Sequence, residues 1–135
     1  MKKYLLTESL LRELLYGTKE NKQEISNKLE SLIQKNNELY ISFLTLNQIL
    51  KEESRSDRRK SIFSNINHLC KKILPVHNDD LPLVLGLSSE LSIPYENTME
   101  LIIAQKAEID YILDNSSIYL SQKIISVINL VFKGK

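Results

Sequence analysis

Acidic side chains recur beside small neutral polar ones at three points of this chain. Glu8 follows Thr7, Glu96 precedes Asn97 with Glu100 three residues on, and Asp114 stands two residues before Ser116. A fourth polar position, Gln48, is set among apolar residues. Carboxylates gathered at one place hold hard cations such as Mg²⁺, which take oxygen ligands and need compensating negative charge. A metal so held activates water and stabilises charge on a phosphate, the chemistry of a metal-dependent nuclease. Spacing limits how many of these acids can serve. One residue along a helix turns a side chain by ~100°, so Glu8, Glu96 and Glu100 are expected to point away from a site built around Thr7 and Asn97. Asp114, at the end of a strand, is the acid that can retain a role there. One displaced carboxylate is a poor metal site.

The other reactive side chains say less. His68 and His77 have no second ligand at metal spacing and read as surface or half-buried residues. Cys70 is the single cysteine; it lies on an apolar helical stripe and reads as a buried structural thiol. The basic residues concentrate at Arg55, Arg58, Arg59 and Lys60, then at Lys71 and Lys72, diluted by Glu52, Glu53 and Asp57. No aromatic series is interleaved with them as single-strand binders use. A solvated helix is the plainer reading, with nucleic-acid contact the alternative.

The elements that must position these residues follow from apolar periodicity. Tyr4-Leu5-Leu6 reads as a buried strand feeding a helix, with Thr7 as its N-cap. Glu20 to Lys35 places Ile25, Leu29, Leu32 and Ile33 on one helical face. Leu39 to Leu44 reads as a second strand, followed by a short helix through Leu46, Ile49 and Leu50. Asp57 to Ile73 keeps helical spacing, and Ile73-Leu74-Pro75-Val76 reads as a short strand near a sheet edge because of Pro75. Asp79 or Asp80 can cap a helix that runs to about Leu91, with Gly86 as its weak point. Asn97 and Glu100 have capping-box form for a helix to Ala107. Tyr111-Ile112-Leu113 is a further strand, followed by a turn containing Ser116. The segment Ile124 to Phe132 is read as a strand from about Val127.

The totals bound the class. With 135 residues, 26% charged and 42% hydrophobic, the chain makes one globular domain with its own core. A net charge of +1 does not by itself imply a nucleic-acid partner. One cysteine excludes an internal disulfide and fits a reducing compartment. The short apolar run after Met1-Lys2-Lys3 is broken by Glu8, Arg12 and Glu13, so neither a signal peptide nor a membrane span is expected. The expected location is the cytoplasm. Short strands alternating with helices imply an α/β fold, a three-layer α/β/α sandwich with a mainly parallel central sheet.

Four stretches carry a family likeness. They are Tyr4-Leu5-Leu6-Thr7-Glu8-Ser9-Leu10-Leu11, Ile41-Ser42-Phe43-Leu44-Thr45-Leu46-Asn47-Gln48-Ile49-Leu50, Asn97-Thr98-Met99-Glu100-Leu101-Ile102-Ile103-Ala104 and Tyr111-Ile112-Leu113-Asp114-Asn115-Ser116. Together they resemble the PIN-domain family, whose stretches read roughly YLLDTNVL, ISxLTLAEIL, DALxxAxA and YIxTxD. The hydrophobic frame matches. Thr7, Gln48, Asn97 and Ser116 stand where that family carries its metal-binding acids, and none of the four is negatively charged near neutral pH.

The resemblance therefore implies a PIN-like domain that has lost its metal site. Such a domain would bind no cofactor and act as a protein-binding, regulatory or structural module. Mg²⁺ or Mn²⁺ is expected only if residual activity survives. The family commonly forms homodimers through helical surfaces, and its toxin members bind a small antitoxin, so a second copy and a protein partner are the expected partners. The alternatives are a weak ribonuclease using displaced acids such as Asp114, and an RNA binder that does not cleave.

Overall fold

The structure is a computed structural model that describes residues 1–130. Among the described residues five strands form one sheet: β1 (Lys3–Leu6), β2 (Glu38–Ser42), β3 (Lys72–Leu74), β4 (Tyr111–Asp114) and β5 (Ser126–Asn129). Six helices join them: α1 (Glu8–Tyr16), α2 (Lys19–Gln34), α3 (Phe43–Glu52), α4 (Ser56–Leu69), α5 (Leu81–Leu91, after a 3-10 turn at Asn78–Asp80) and α6 (Tyr95–Lys106). The strand order is β3-β2-β1-β4-β5. Every pairing is parallel, so the expected mainly parallel sheet is wholly parallel.

Alternation along the strands explains the three layers. Neighbouring residues of a strand face opposite sides of the sheet. Tyr4 and Leu6 of β1, Leu39 and Ile41 of β2 and Leu113 of β4 join one core, with α1, α2, α3 and α4. Leu5, Tyr40 and Ile112, the residues between them, join a second core with α5 and α6. A sheet covered on both faces needs apolar residues in both directions, which is why β1 and β4 read as unbroken apolar runs.

Several boundaries differ from the sequence expectation, each for a local reason. The second strand stops at Ser42, not Leu44. The Ser42 hydroxyl accepts from the Thr45 amide at 3.2 Å and caps α3, which starts at Phe43. The fourth helix ends at Leu69, and Ile73 belongs to β3, whose last residue, Leu74, precedes Pro75. That strand lies at a sheet edge, as the proline implied. Asn97 is not a helix cap, because α6 already begins at Tyr95 after Pro94, whose carbonyl receives the Thr98 amide at 2.9 Å. Thr7 does hold the N-cap position of α1, but its side chain makes no capping bond. Asp80 likewise precedes α5 without a capping bond; its carboxylate pairs with Lys106 at 2.8 Å instead. β5 begins at Ser126, one residue before the expected Val127. The part of that expectation at Val131 and Phe132 lies outside the described residues. Among the described residues no helix is long and apolar enough to cross a membrane.

Candidate functional site

The sheet order places β1 between β2 and β4, so the chain reverses its winding direction at the β1–β4 junction. Open parallel sheets form a crevice beyond the carboxyl ends of their strands at such a point. The residues that follow Leu6 and the paired Leu113, namely Thr7 and Asp114, open onto it. A cleft of about 290 Å³ is lined by Thr7, Ser9, Asn97, Asp114, Ser116 and Tyr119, and also by Glu8, Arg12, Glu96 and Ile118. A smaller recess of about 50 Å³ adjoins it, sharing Glu8, Glu96 and Asn97 and adding Leu44, Thr45 and Glu100.

Three of the four sequence-selected positions, Thr7, Asn97 and Ser116, therefore meet, and Asp114 meets them. Gln48 does not line either cavity. It stands one helical turn beyond Thr45, and its amide donates to Glu52 on the following turn. The expectation that Glu8, Glu96 and Glu100 would point away is overturned. Glu8 and Glu96 line the main cleft. Glu100 lies three residues after Asn97, a spacing that shares a helical face.

Two buried carboxylates organise the site, and each is surrounded by hydroxyl donors. Asp114 is 1% exposed. Its Oδ1 lies 2.7 Å from Thr7 Oγ1 and 2.5 Å from Ser9 Oγ, and its Oδ2 accepts from Ser116 Oγ at 2.8 Å. The single Thr7 proton is shared between Asp114 and the Leu113 carbonyl, 2.9 Å away. Ser9 Oγ also accepts the Asn115 amide at 3.1 Å, which ties the turn after β4 to the first turn of α1.

Glu100, 5% exposed, repeats the pattern. Its Oε2 accepts from Ser42 Oγ and Thr45 Oγ1, both at 2.6 Å, and its Oε1 accepts from Tyr119 Oη at 3.3 Å. Asn97 Nδ2 donates to Tyr119 Oη at 3.1 Å. Burial pushes the Glu100 carboxyl above the ordinary glutamate range, opposed by its three hydroxyl bonds, with the nearby charge of Glu8 adding to the rise. Burial and the charge of Glu100 also push the Tyr119 phenol well above its usual value.

At the cleft mouth Arg12 bridges Glu8 at 2.8 Å and Glu52 at 2.7 Å. Each partner is more than a third exposed, so these pairs contribute little to stability. Among the described residues no group of three or more histidine, cysteine or acidic side chains is arranged to hold a metal ion.

The remaining sequence candidates lie elsewhere. Arg55 pairs with Asp57, Arg58 pairs with Glu53 and stacks over Tyr16, and Arg59 donates to the Leu50 carbonyl. Lys60 is on α4, whereas Lys71 and Lys72 follow that helix at its other end. The two basic groups are thus separated by roughly 20 Å at 1.5 Å per residue and form no single patch. His68 and His77 are exposed. Cys70 is buried, and burial raises its thiol to about 12, which leaves it protonated and unreactive.

The other hydroxyl donors, Ser9, Ser42, Thr45 and Tyr119, are not among the sequence candidates. Ser42 and Thr45 carried one legible signal, a serine followed three residues later by threonine at a strand–helix junction.

No family model matches the chain, and no curated protein sequence matches it. Solved structures do. The chain is similar to one in a crystal structure of VapBC2 from Rickettsia felis bound to a DNA fragment from their promoter, with a TM-score of 0.72, 15% identity, and 94% of this chain and 98% of that chain covered. It is similar to a chain of a toxin–antitoxin complex from Klebsiella pneumoniae, with a TM-score of 0.69, 15% identity and coverage of 93% and 96%. A third likeness is to DNA-bound VapBC from Salmonella typhimurium, with a TM-score of 0.64, 12% identity and coverage of 96% and 98%. At these identities the likeness is one of fold. The five-stranded parallel sheet with helices on both faces is the α/β/α fold of PIN-like domains.

Proposed function

We propose that this chain is a catalytically inactive PIN-like domain that acts by binding protein, derived from a toxin–antitoxin ribonuclease. One observation carries the first half of this reading. Two buried carboxylates, Asp114 at the end of β4 and Glu100 on α6, each accept three hydroxyl hydrogen bonds. A carboxylate offers about four lone-pair sites, so most of the coordinating capacity of Asp114 and Glu100 is already used. A divalent ion would have to displace hydrogen bonds to a charged acceptor, each worth about 1.5–3 kcal/mol. Thr7, Asn97 and Ser116 bring no charge to repay that loss. The hydroxyls take the place a cation would otherwise have.

The second half rests on the complexes that share the fold. They are toxin–antitoxin assemblies, in which a protein partner binds the toxin fold. A fold that has lost its chemistry keeps the helical surfaces by which such proteins assemble, so the partners are a second copy of the chain and another protein. The divided basic residues give no support to an RNA groove.

The test is an RNA cleavage assay. Purified protein incubated with single-stranded RNA and Mg²⁺ or Mn²⁺ is expected to leave the RNA intact at the rate of a protein-free control. Cleavage that disappears in Asp114→Ala would overturn the reading in favour of a weak ribonuclease built on Asp114, Glu8 and Glu96.

A further inference from the structure

Glu100 is the hub of four segments. It belongs to α6, receives hydroxyls from the end of β2 (Ser42) and the first turn of α3 (Thr45), and receives a third from Tyr119 in the loop before β5. Tyr119 is 2% exposed, yet it contributes to the cleft wall together with Asn97. The chain Glu100–Tyr119–Asn97 thus runs from a buried carboxyl to the cleft surface.

Bond length distinguishes the two oxygens at which that chain can take up a proton. With Glu100 ionised, the Tyr119 hydroxyl donates inward to Oε1 and accepts from Asn97 Nδ2. A proton added at Oε2 would face Ser42 and Thr45, both already donating there, and Ser42 Oγ also accepts the Thr45 amide. Added at Oε1, the proton meets Tyr119 Oη across the longest of the three bonds, 3.3 Å. A phenol oxygen can accept two hydrogen bonds. Glu100 then becomes the donor, Tyr119 Oη accepts from both Glu100 and Asn97, and the phenol proton turns out toward the cleft. No covalent bond other than the new O–H forms.

We propose that Glu100, Tyr119 and Asn97 form a proton-sensing relay, in which uptake of one proton by Glu100 turns the Tyr119 hydroxyl from an inward donor into a donor facing the cleft. The surroundings favour uptake. Glu8 on α1 and Glu96 on α6 share the recess with Glu100, and Asp114 at the end of β4 acts on Tyr119. Leu44 and Thr45, the α3 residues in that recess, carry no charge. The cation lining the cleft, Arg12, is engaged by Glu8 and Glu52. Like charges near a buried carboxyl disfavour its ionised form. The relay is independent of whether the cleft cleaves RNA.

Carbon-detected NMR of the full chain tests it, following the Glu100 carboxyl carbon and the Tyr119 ring carbon bearing the hydroxyl across pH. The expected result is one shared midpoint, above the ordinary glutamate value of about 4.3. Glu100→Gln should remove the Tyr119 response, and Asp114→Asn should keep it. A Tyr119 signal that stays flat while Glu100 titrates would overturn the relay. So would a response that survives Glu100→Gln or vanishes in Asp114→Asn, or a Glu100 midpoint at or below the ordinary value. If Glu100→Gln fails to fold, the shared titration of Glu100 and Tyr119 in the parent, with its persistence in Asp114→Asn, decides.

Discussion

Replacing Glu100 by alanine is expected to destabilise the fold by about 2–4 kcal/mol, read from chemical denaturation at neutral pH. The loss combines a cavity between α6, β2 and α3 with three buried hydroxyls, those of Ser42, Thr45 and Tyr119, deprived of their acceptor. Glu100→Gln separates the charge from the shape. Its amide oxygen can accept from Ser42 and Thr45, and its amide nitrogen can donate to Tyr119, so its stability should fall within about 1 kcal/mol of the parent.

The parent and Glu100→Gln also differ in pH response. Burial raises the Glu100 carboxyl above its unfolded value, so between the two values the folded chain holds more protons than the unfolded one. Stability from this group is therefore full below the unfolded value and is lost as pH rises through the folded one. The parent should show that decline and Glu100→Gln should lack it. A parent and glutamine variant with parallel pH profiles would contradict the assignment.

Asp114→Ala is expected to cost a similar amount, about 2–4 kcal/mol, for a different reason. Asp114 sits at the end of a central strand, and its carboxylate ties Thr7 and Ser9 at the start of α1 to Ser116 in the turn after β4. Without it, the hydroxyls of Thr7 and Ser9 lose a charged acceptor, and the β1–α1 and β4 turns lose their common anchor. Asparagine can accept only part of this set, so Asp114→Asn should fall between alanine and the parent. Thermal melts of the three proteins check the order. A stable Asp114→Ala protein would mean that the hydroxyls find other acceptors and that the carboxylate is not structural.

The fold was legible because its signal is local. The apolar runs at Tyr4–Leu6 and Tyr111–Leu113 and the helical face of Ile25, Leu29 and Leu32 each report their own element. Thr7, Asn97 and Ser116 could be placed together because they belong to the strand and helix ends that a parallel sheet brings to one edge. Errors arose where two local signals competed. Phe43 and Leu44 have strand character, but the Ser42 hydroxyl caps a helix at that point. Asn97 looked like a cap, but Pro94 starts the helix earlier. Glu100 was discounted by a rotation argument that holds for adjacent residues and fails at a spacing of three.

The gathering of hydroxyls around Asp114 and Glu100 was not legible. Ser42 and Glu100 are 58 residues apart, and Ser9 and Asp114 are 105 apart. Such contacts exist only once β1, β2 and β4 lie side by side. The resemblance identified where acids were missing. It gave no hint that hydroxyls had gathered around Asp114 and Glu100.

That substitution of hydroxyls for a cation is the central claim, and metal-dependent thermal stability tests it most directly. A ligand that binds only the folded state stabilises it by about 2.7 kcal/mol at one hundred times its dissociation constant. With millimolar Mn²⁺ or Mg²⁺ the melting temperature of the parent protein is predicted to stay where it is in chelator. A rise that saturates with metal concentration and is lost in Asp114→Asn would show that the cleft still holds a cation, and would contradict the account.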